Sequence, residues 1–72
     1  MNYIILDLEA TCWNPESVQY PQEIIELGAC WINSYMEMKK TFSRIVRPVF
    51  QPNLSMYCKQ LTGISQEVVD KS

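Results

Sequence analysis

Residues 3–8 read Tyr-Ile-Ile-Leu-Asp-Leu, an aliphatic and β-branched run with one acid inside it and a second, Glu9, directly after it. A run this short and this apolar has the character of a strand packed on both faces, so it predicts a sheet in which this strand is central. Side chains alternate along a strand with a period of two, which sends Asp7 and Glu9 out of the same face. Neighbouring carboxylates repel, burial makes the repulsion worse, and a cation between them removes it. Hard divalent ions that prefer oxygen ligands, Mg²⁺ or Mn²⁺, suit such a pair. A site holding two such ions can hydrolyse a phosphodiester, one ion activating a water and the other stabilising the leaving oxygen. The competing reading is a solvated edge strand whose acids discourage aggregation. The residues alone leave both readings open.

The rest of the chain reads as a meander followed by helices. Residues 9–21, with Asn14, Pro15 and Pro21, form a loop. Residues 23–33 are a second strand, favoured over a helix by the Ile pair, Trp31 and the mid-segment Gly28. A polar turn at 34–37 leads to a third strand over 38–47, antiparallel to the second, with Phe42, Arg44 and Val46 on one side and Thr41, Ser43 and Ile45 on the other. Pro48 and Pro52 end it. Ser55 is the N-cap of a short helix over 56–61, stopped by Gly63 in the C′ position. Ser65 caps another helix beginning at Gln66, and the last residue, Ser72, comes only about two turns later. A sequence that ends inside a newly capped helix reads as cut.

Composition narrows the options. A chain of 72 residues is at most one small domain, and one that size buries only about 60% of its unfolded surface. Yet 47% of the residues are hydrophobic, a supply better matched to a larger body. Six basic against eight acidic residues leave no positive footprint for nucleic acid, so any contact with a polyanion must come through metal ions or through other residues. Cys12, Cys30 and Cys58 make no CxxC pair and histidine is absent, which argues against a zinc cage and a disulfide framework and for free thiols in a cytoplasmic setting. The N-terminal apolar run breaks at Asp7, so neither a signal peptide nor a membrane span is expected.

Asp7-Leu8-Glu9-Ala10-Thr11-Cys12-Trp13 resembles the first motif of the DEDDh, DnaQ-like 3′–5′ exonucleases, and more narrowly of the branch with histone-mRNA and small-RNA exonucleases and KapD-like proteins. The resemblance continues through Glu23-Ile24-Ile25-Glu26-Leu27-Gly28-Ala29, Val46-Arg47-Pro48, Leu54-Ser55, Cys58, Leu61-Thr62-Gly63-Ile64, Gln66 and Val69-Asp70. It implies an α/β fold of the RNase H-like kind, with residues 1–72 as the N-terminal part of a single exonuclease domain of about 150–200 residues. The implied activity is two-metal 3′–5′ hydrolysis of single-stranded nucleic acid, RNA favoured over DNA. By the same resemblance Asp7 would bridge both metals, and Glu9 would bind one of them and help hold the attacking water. The Ala10–Thr11 backbone would lie against the 3′-terminal nucleotide, with Leu61, Thr62 and Ile64 approaching the terminal base or its neighbour.

Other residues have plainer roles. Glu26 is expected to close a hydrogen bond or charge pair within the sheet, Gly28 to be a packing concession, and Cys12 and Cys58 to be buried small hydrophobes. Trp13 anchors a loop or core, with base stacking as its alternative. Lys39 and Lys40 are solvated, and Arg47 is expected in an intradomain salt bridge. The family site also needs two further carboxylates and a histidine base, and these residues contain no counterpart of any of them. Asp70 falls where the family has a structural Asp. Without the base alone, a loss of about 10²–10⁴ in rate follows, so these residues by themselves are expected to be silent. An apolar sheet lacking its cover is expected to self-associate. The competing functions are a non-catalytic remnant retained for protein binding and a different metal phosphoesterase on the same fold.

Overall fold

In the computed structural model, which describes all 72 residues, the chain forms β1 (Tyr3–Ala10), β2 (Ile24–Ile32), β3 (Met38–Ile45), α1 (Met56–Thr62) and α2 (Gln66–Asp70). The strands make one antiparallel sheet in the order β1-β2-β3. The first strand runs two residues further than its apolar run, so Glu9 and Ala10 are strand and not loop. β1 pairs with β2 in unbroken register from Tyr3↔Ile32 to Glu9↔Glu26. Ala10 then pairs with Ile24, and Ile25 is left as the extra residue of a β-bulge. A second irregularity lies between Trp31 and Ile32 against β3.

Asn33 builds the turn between β2 and β3. Its side-chain oxygen accepts the amides of Tyr35 at 2.9 Å and Glu37 at 3.1 Å, and its amide group donates to Glu37 Oε1 at 3.0 Å. The turn forces Met36 to φ 64°, in the left-handed region. A non-glycine residue there loses about 1–2 kcal/mol to the clash of its Cβ with the following carbonyl. Met36→Gly is therefore expected to raise stability by about 0.5–1 kcal/mol, after the entropy glycine adds to the unfolded chain, as read by chemical denaturation.

Both helices begin as the sequence indicates. Ser55 Oγ accepts the Cys58 amide at 3.0 Å, Ser65 Oγ accepts that of Val68 at 3.2 Å, and Gly63, at φ 75°, closes α1 with its amide on Lys59 O at 2.9 Å. Gln66 ties α2 to the segment before α1, accepting the Leu54 amide at 2.6 Å and donating to Pro52 O at 2.8 Å. Gln66 also donates to the Asp70 carboxylate at 2.9 Å, which gives Asp70 a structural role.

The core is small and lies at one end of the sheet. Ile25, Leu54, Cys58, Ile64 and Val69 form it, with Cys12 and Ile45 packed against it. The other end of the sheet is bare. Ile4 is 71% and Leu6 63% exposed, so β1 is an uncovered edge strand here and not the doubly buried central strand its composition suggests. An apolar run records that a strand needs cover on both faces; it does not say where that cover comes from. The radius of gyration, 14.7 Å, exceeds the roughly 11 Å of a compact chain this long, because the sheet projects beyond its core.

Candidate metal and nucleotide site

The β1–β2 ladder is regular across Asp7↔Gly28, Leu8↔Leu27 and Glu9↔Glu26. Asp7 and Glu9 therefore leave the same face, and so do the residues directly opposite them, Gly28 and Glu26. Gly28 puts no side chain beside Asp7. A Cβ built there meets Asp7 O at 3.5 Å and Asp7 Cβ at 3.8 Å, ordinary contacts, so the packing does not demand a glycine; its effect is to leave that face open. Glu26 lies against Ser43, whose hydroxyl donates to Glu26 Oε2 at 3.4 Å, the hydrogen bond within the sheet that the sequence suggests. Opposed cross-strand residues have Cβ atoms about 4.5–5.5 Å apart, so Glu9 and Glu26 repel directly. This concentration of like charge on oxygen donors fits a hard divalent cation. No group of three or more His, Cys, Asp or Glu side chains is arranged to hold a metal.

Beyond Glu9 the strand is held by its neighbours. Thr11, 2% exposed, accepts the Glu23 amide on Oγ1 at 2.9 Å and donates its own amide to Glu23 O at 2.8 Å. The Ala10 carbonyl faces the Cys58 thiol at 3.8 Å, and Ser55 Oγ donates to Cys12 O at 2.7 Å, so the cap of α1 is fastened to the end of the carboxylate strand. The Thr11 amide, a candidate for the terminal sugar hydroxyl, is thus already engaged. Of the three residues expected near a terminal base, Leu61 is exposed, Thr62 spends its hydroxyl on Cys58 O and the Ile64 amide, and Ile64 is in the core. Trp13 packs against Tyr20 at 5.2 Å between ring centroids, anchoring the loop between β1 and β2. Arg47 forms no salt bridge, contrary to expectation; the one ion pair is Lys71–Glu67. Burial, reinforced by contact with the Cys58 thiol and by the charges of Cys58 and Glu9, pushes the Cys12 thiol up to about 11, which fits an inert packing group and not a nucleophile.

The residue that sequence reasoning missed is Glu23. Its carboxylate accepts the amides of Val49 and Phe50 at 2.9 Å and of Gln51 at 3.0 Å. These partners lie far along the chain, and no local spacing announces them. The Phe50 and Gln51 amides, with Val49 adding less, hold the Glu23 carboxyl below its ordinary value of 4.5 against the opposing effect of burial. With the folded value depressed, the unfolded chain binds more protons between the two values, so stability rises with pH there. The contribution is complete above about pH 4.5 and is lost as pH falls through the folded value. Glu23→Gln is accordingly expected to flatten the acid limb of a stability–pH curve measured by urea unfolding.

The sequence model of the exonuclease (RNase T) family matches residues 4–72. The chain belongs to this exonuclease family. It is 45% identical over 69 residues to human ERI1 exoribonuclease 3, a match covering 94% of this chain and 20% of that protein. The nuclease domain of 3′hExo, a DEDDh family member solved bound to rAMP, superimposes with a TM-score of 0.92 at 38% identity, over 99% of this chain and 36% of that one. A 3′-exonuclease solved for its 3′-end specific recognition of histone mRNA stem-loop gives a TM-score of 0.91 at 38% identity, over 99% of this chain and 25% of that one. The fold is thus that of the RNase H-like DEDDh exonucleases, and the chain spans about a fifth of the length of the curated relatives it matches.

Proposed function

We propose that these residues supply the first two acidic groups of a 3′–5′ exonuclease acting on single-stranded nucleic acid, RNA in preference to DNA. The observation that carries this reading is the unbroken ladder that sets Asp7 and Glu9 on one face, within a fold matching a DEDDh nuclease domain. Asp7 and Glu9 are the residues that would hold Mg²⁺ or Mn²⁺, and ions bound there supply Lewis-acid activation of water and stabilisation of the leaving oxygen. The chain's own part is to hold the two acids together, to present the Ala10–Thr11 backbone to the 3′-terminal nucleotide, and to offer the exposed Leu61 on the side of the terminal base, with Thr62 and the buried Ile64 fixing the end of α1 behind it. The RNA preference draws support from the exoribonuclease relatives. The free state of all three cysteines suits a reducing, cytoplasmic setting, and no helix is long and apolar enough to cross a membrane.

A Mn²⁺-dependent assay on 5′-labelled single-stranded RNA tests the reading. The chain alone leaves the substrate intact, whereas joined to a segment bringing two carboxylates and a histidine it trims from the 3′ end, and Asp7→Ala abolishes the trimming. Trimming that survives Asp7→Ala refutes the assignment.

The bare sheet favours a second role, protein binding through its apolar surface, in the first instance self-association. Ile4, Leu6 and Leu8 share one face of the open edge strand. Light scattering is expected to show dimers at high concentration that Leu6→Lys returns to monomer; a monodisperse wild-type monomer counts against it.

A further inference from the structure

Glu23 connects three parts of the fold. Its backbone exchanges two hydrogen bonds with Thr11, at the exit of β1, while its carboxylate gathers the three amides of residues 49–51, and β2 begins at the next residue. Between Glu9 and Thr11 the ladder carries the Ile25 bulge. A bulge is a point where pairing can migrate and where a side chain is re-aimed. Moving it by one residue would pair Glu9 with Ile25 in place of Glu26 and, by shifting the local bend and twist of the pair, re-aim its carboxylate relative to Asp7 while both stay on one face. The thiol of Cys58 on Ala10 O, at 3.8 Å, is a weak restraint by comparison. Thr11 Oγ1 is buried, so water does not readily replace it as acceptor for the Glu23 amide.

We propose that Glu23 is a positioning residue for the carboxylate pair: through Thr11 and the 49–51 amides it locks the bulge in place and so fixes the direction of Glu9. This rests on the reading of Asp7 and Glu9 as metal-holding groups. Glu23 itself touches neither metal nor substrate. Its part resembles that of the outer groups that orient a metal's ligands, whose loss costs about 10–100-fold in affinity.

The test is a Mn²⁺ titration of the ¹⁵N-labelled 72-residue chain, following paramagnetic broadening of backbone amides. In the wild type, broadening centres on Asp7 and Glu9. Glu23→Gln keeps the side chain's size but turns a donor toward the donor amides, and Thr11→Val keeps the shape but deletes the acceptor. Each is expected to raise the Mn²⁺ concentration that half-broadens Glu9 by about tenfold, with the dispersion of the sheet amides retained. Thr11→Ser, which keeps the hydroxyl, restores the wild-type value. Wild-type titration in Glu23→Gln and Thr11→Val overturns the positioning role alone, as does a Thr11→Ser chain that behaves like Thr11→Val. If Thr11→Val loses its dispersion and unfolds, Glu23→Gln decides. A wild type with no broadening at Asp7 and Glu9 overturns the metal reading and this proposal together.

Discussion

Glu9→Gln is expected to weaken Mn²⁺ binding at the β1 carboxylates by at least about 100-fold, since it removes a ligand and not only a supporting group. It is also expected to make the metal-free chain more stable. Glu9 stands directly opposite Glu26, and like charges in opposed positions of an antiparallel pair destabilise by roughly 0.2–1 kcal/mol. Neutralising one member relieves that repulsion while keeping the size of the side chain. Opposite signs for affinity and stability mark a position selected for binding at the expense of the fold. Calorimetric titration with Mn²⁺ and thermal unfolding in EDTA measure the two effects separately. A variant that is less stable without metal, or that binds Mn²⁺ as the wild type does, would show that the acid serves the sheet and not a cation.

The second large effect is expected from Ile25→Ala. Ile25 is fully buried, belongs to the cluster with Leu54, Cys58, Ile64 and Val69, and occupies the bulge. Truncating a buried isoleucine costs about 2–5 kcal/mol, the lost transfer energy plus the cavity left behind. A chain of 72 residues has a total stability of about 4–11 kcal/mol at the usual range per residue. With only eight residues buried, the core has little else to draw on. The expected result is release of both helices from the sheet, seen as loss of chemical-shift dispersion for residues of α1 and α2. Replacing the exposed Ile4 by alanine is the contrasting control, because its side chain is already largely in water.

Much of the architecture is legible in local chemistry. The caps Ser55 and Ser65 and the left-handed Gly63 fall where their residue types place them, since a side-chain acceptor or a missing Cβ acts on amides only a few residues away. The strands are legible for the same reason, and the common face of Asp7 and Glu9 follows from period two once β1 is known to be a strand. Features that depend on distant partners are not legible. The amides bound by Glu23 come from residues 49–51, and the Ile25 bulge breaks the alternation from which faces are read. Arg47 illustrates the opposite error: a cation next to a proline suggests an ion pair, and the chain has no carboxylate placed to receive it. The exposure of β1 is illegible for another reason, because its residues describe the surroundings the strand is suited to and those surroundings are not made by these strands and helices.

The placement of the core at one end of the sheet divides β1 into halves with different mechanical character. From Tyr3 to Leu6 the strand has one hydrogen-bonded neighbour and water on both faces, so its amides are expected to exchange with solvent deuterium through small, frequent openings. From Glu9 onward the backbone is fastened by Thr11, Cys58 and Ser55 to the best-packed part of the molecule, and exchange there requires the helices to detach. Asp7 stands at the boundary between a fraying arm and a clamped root.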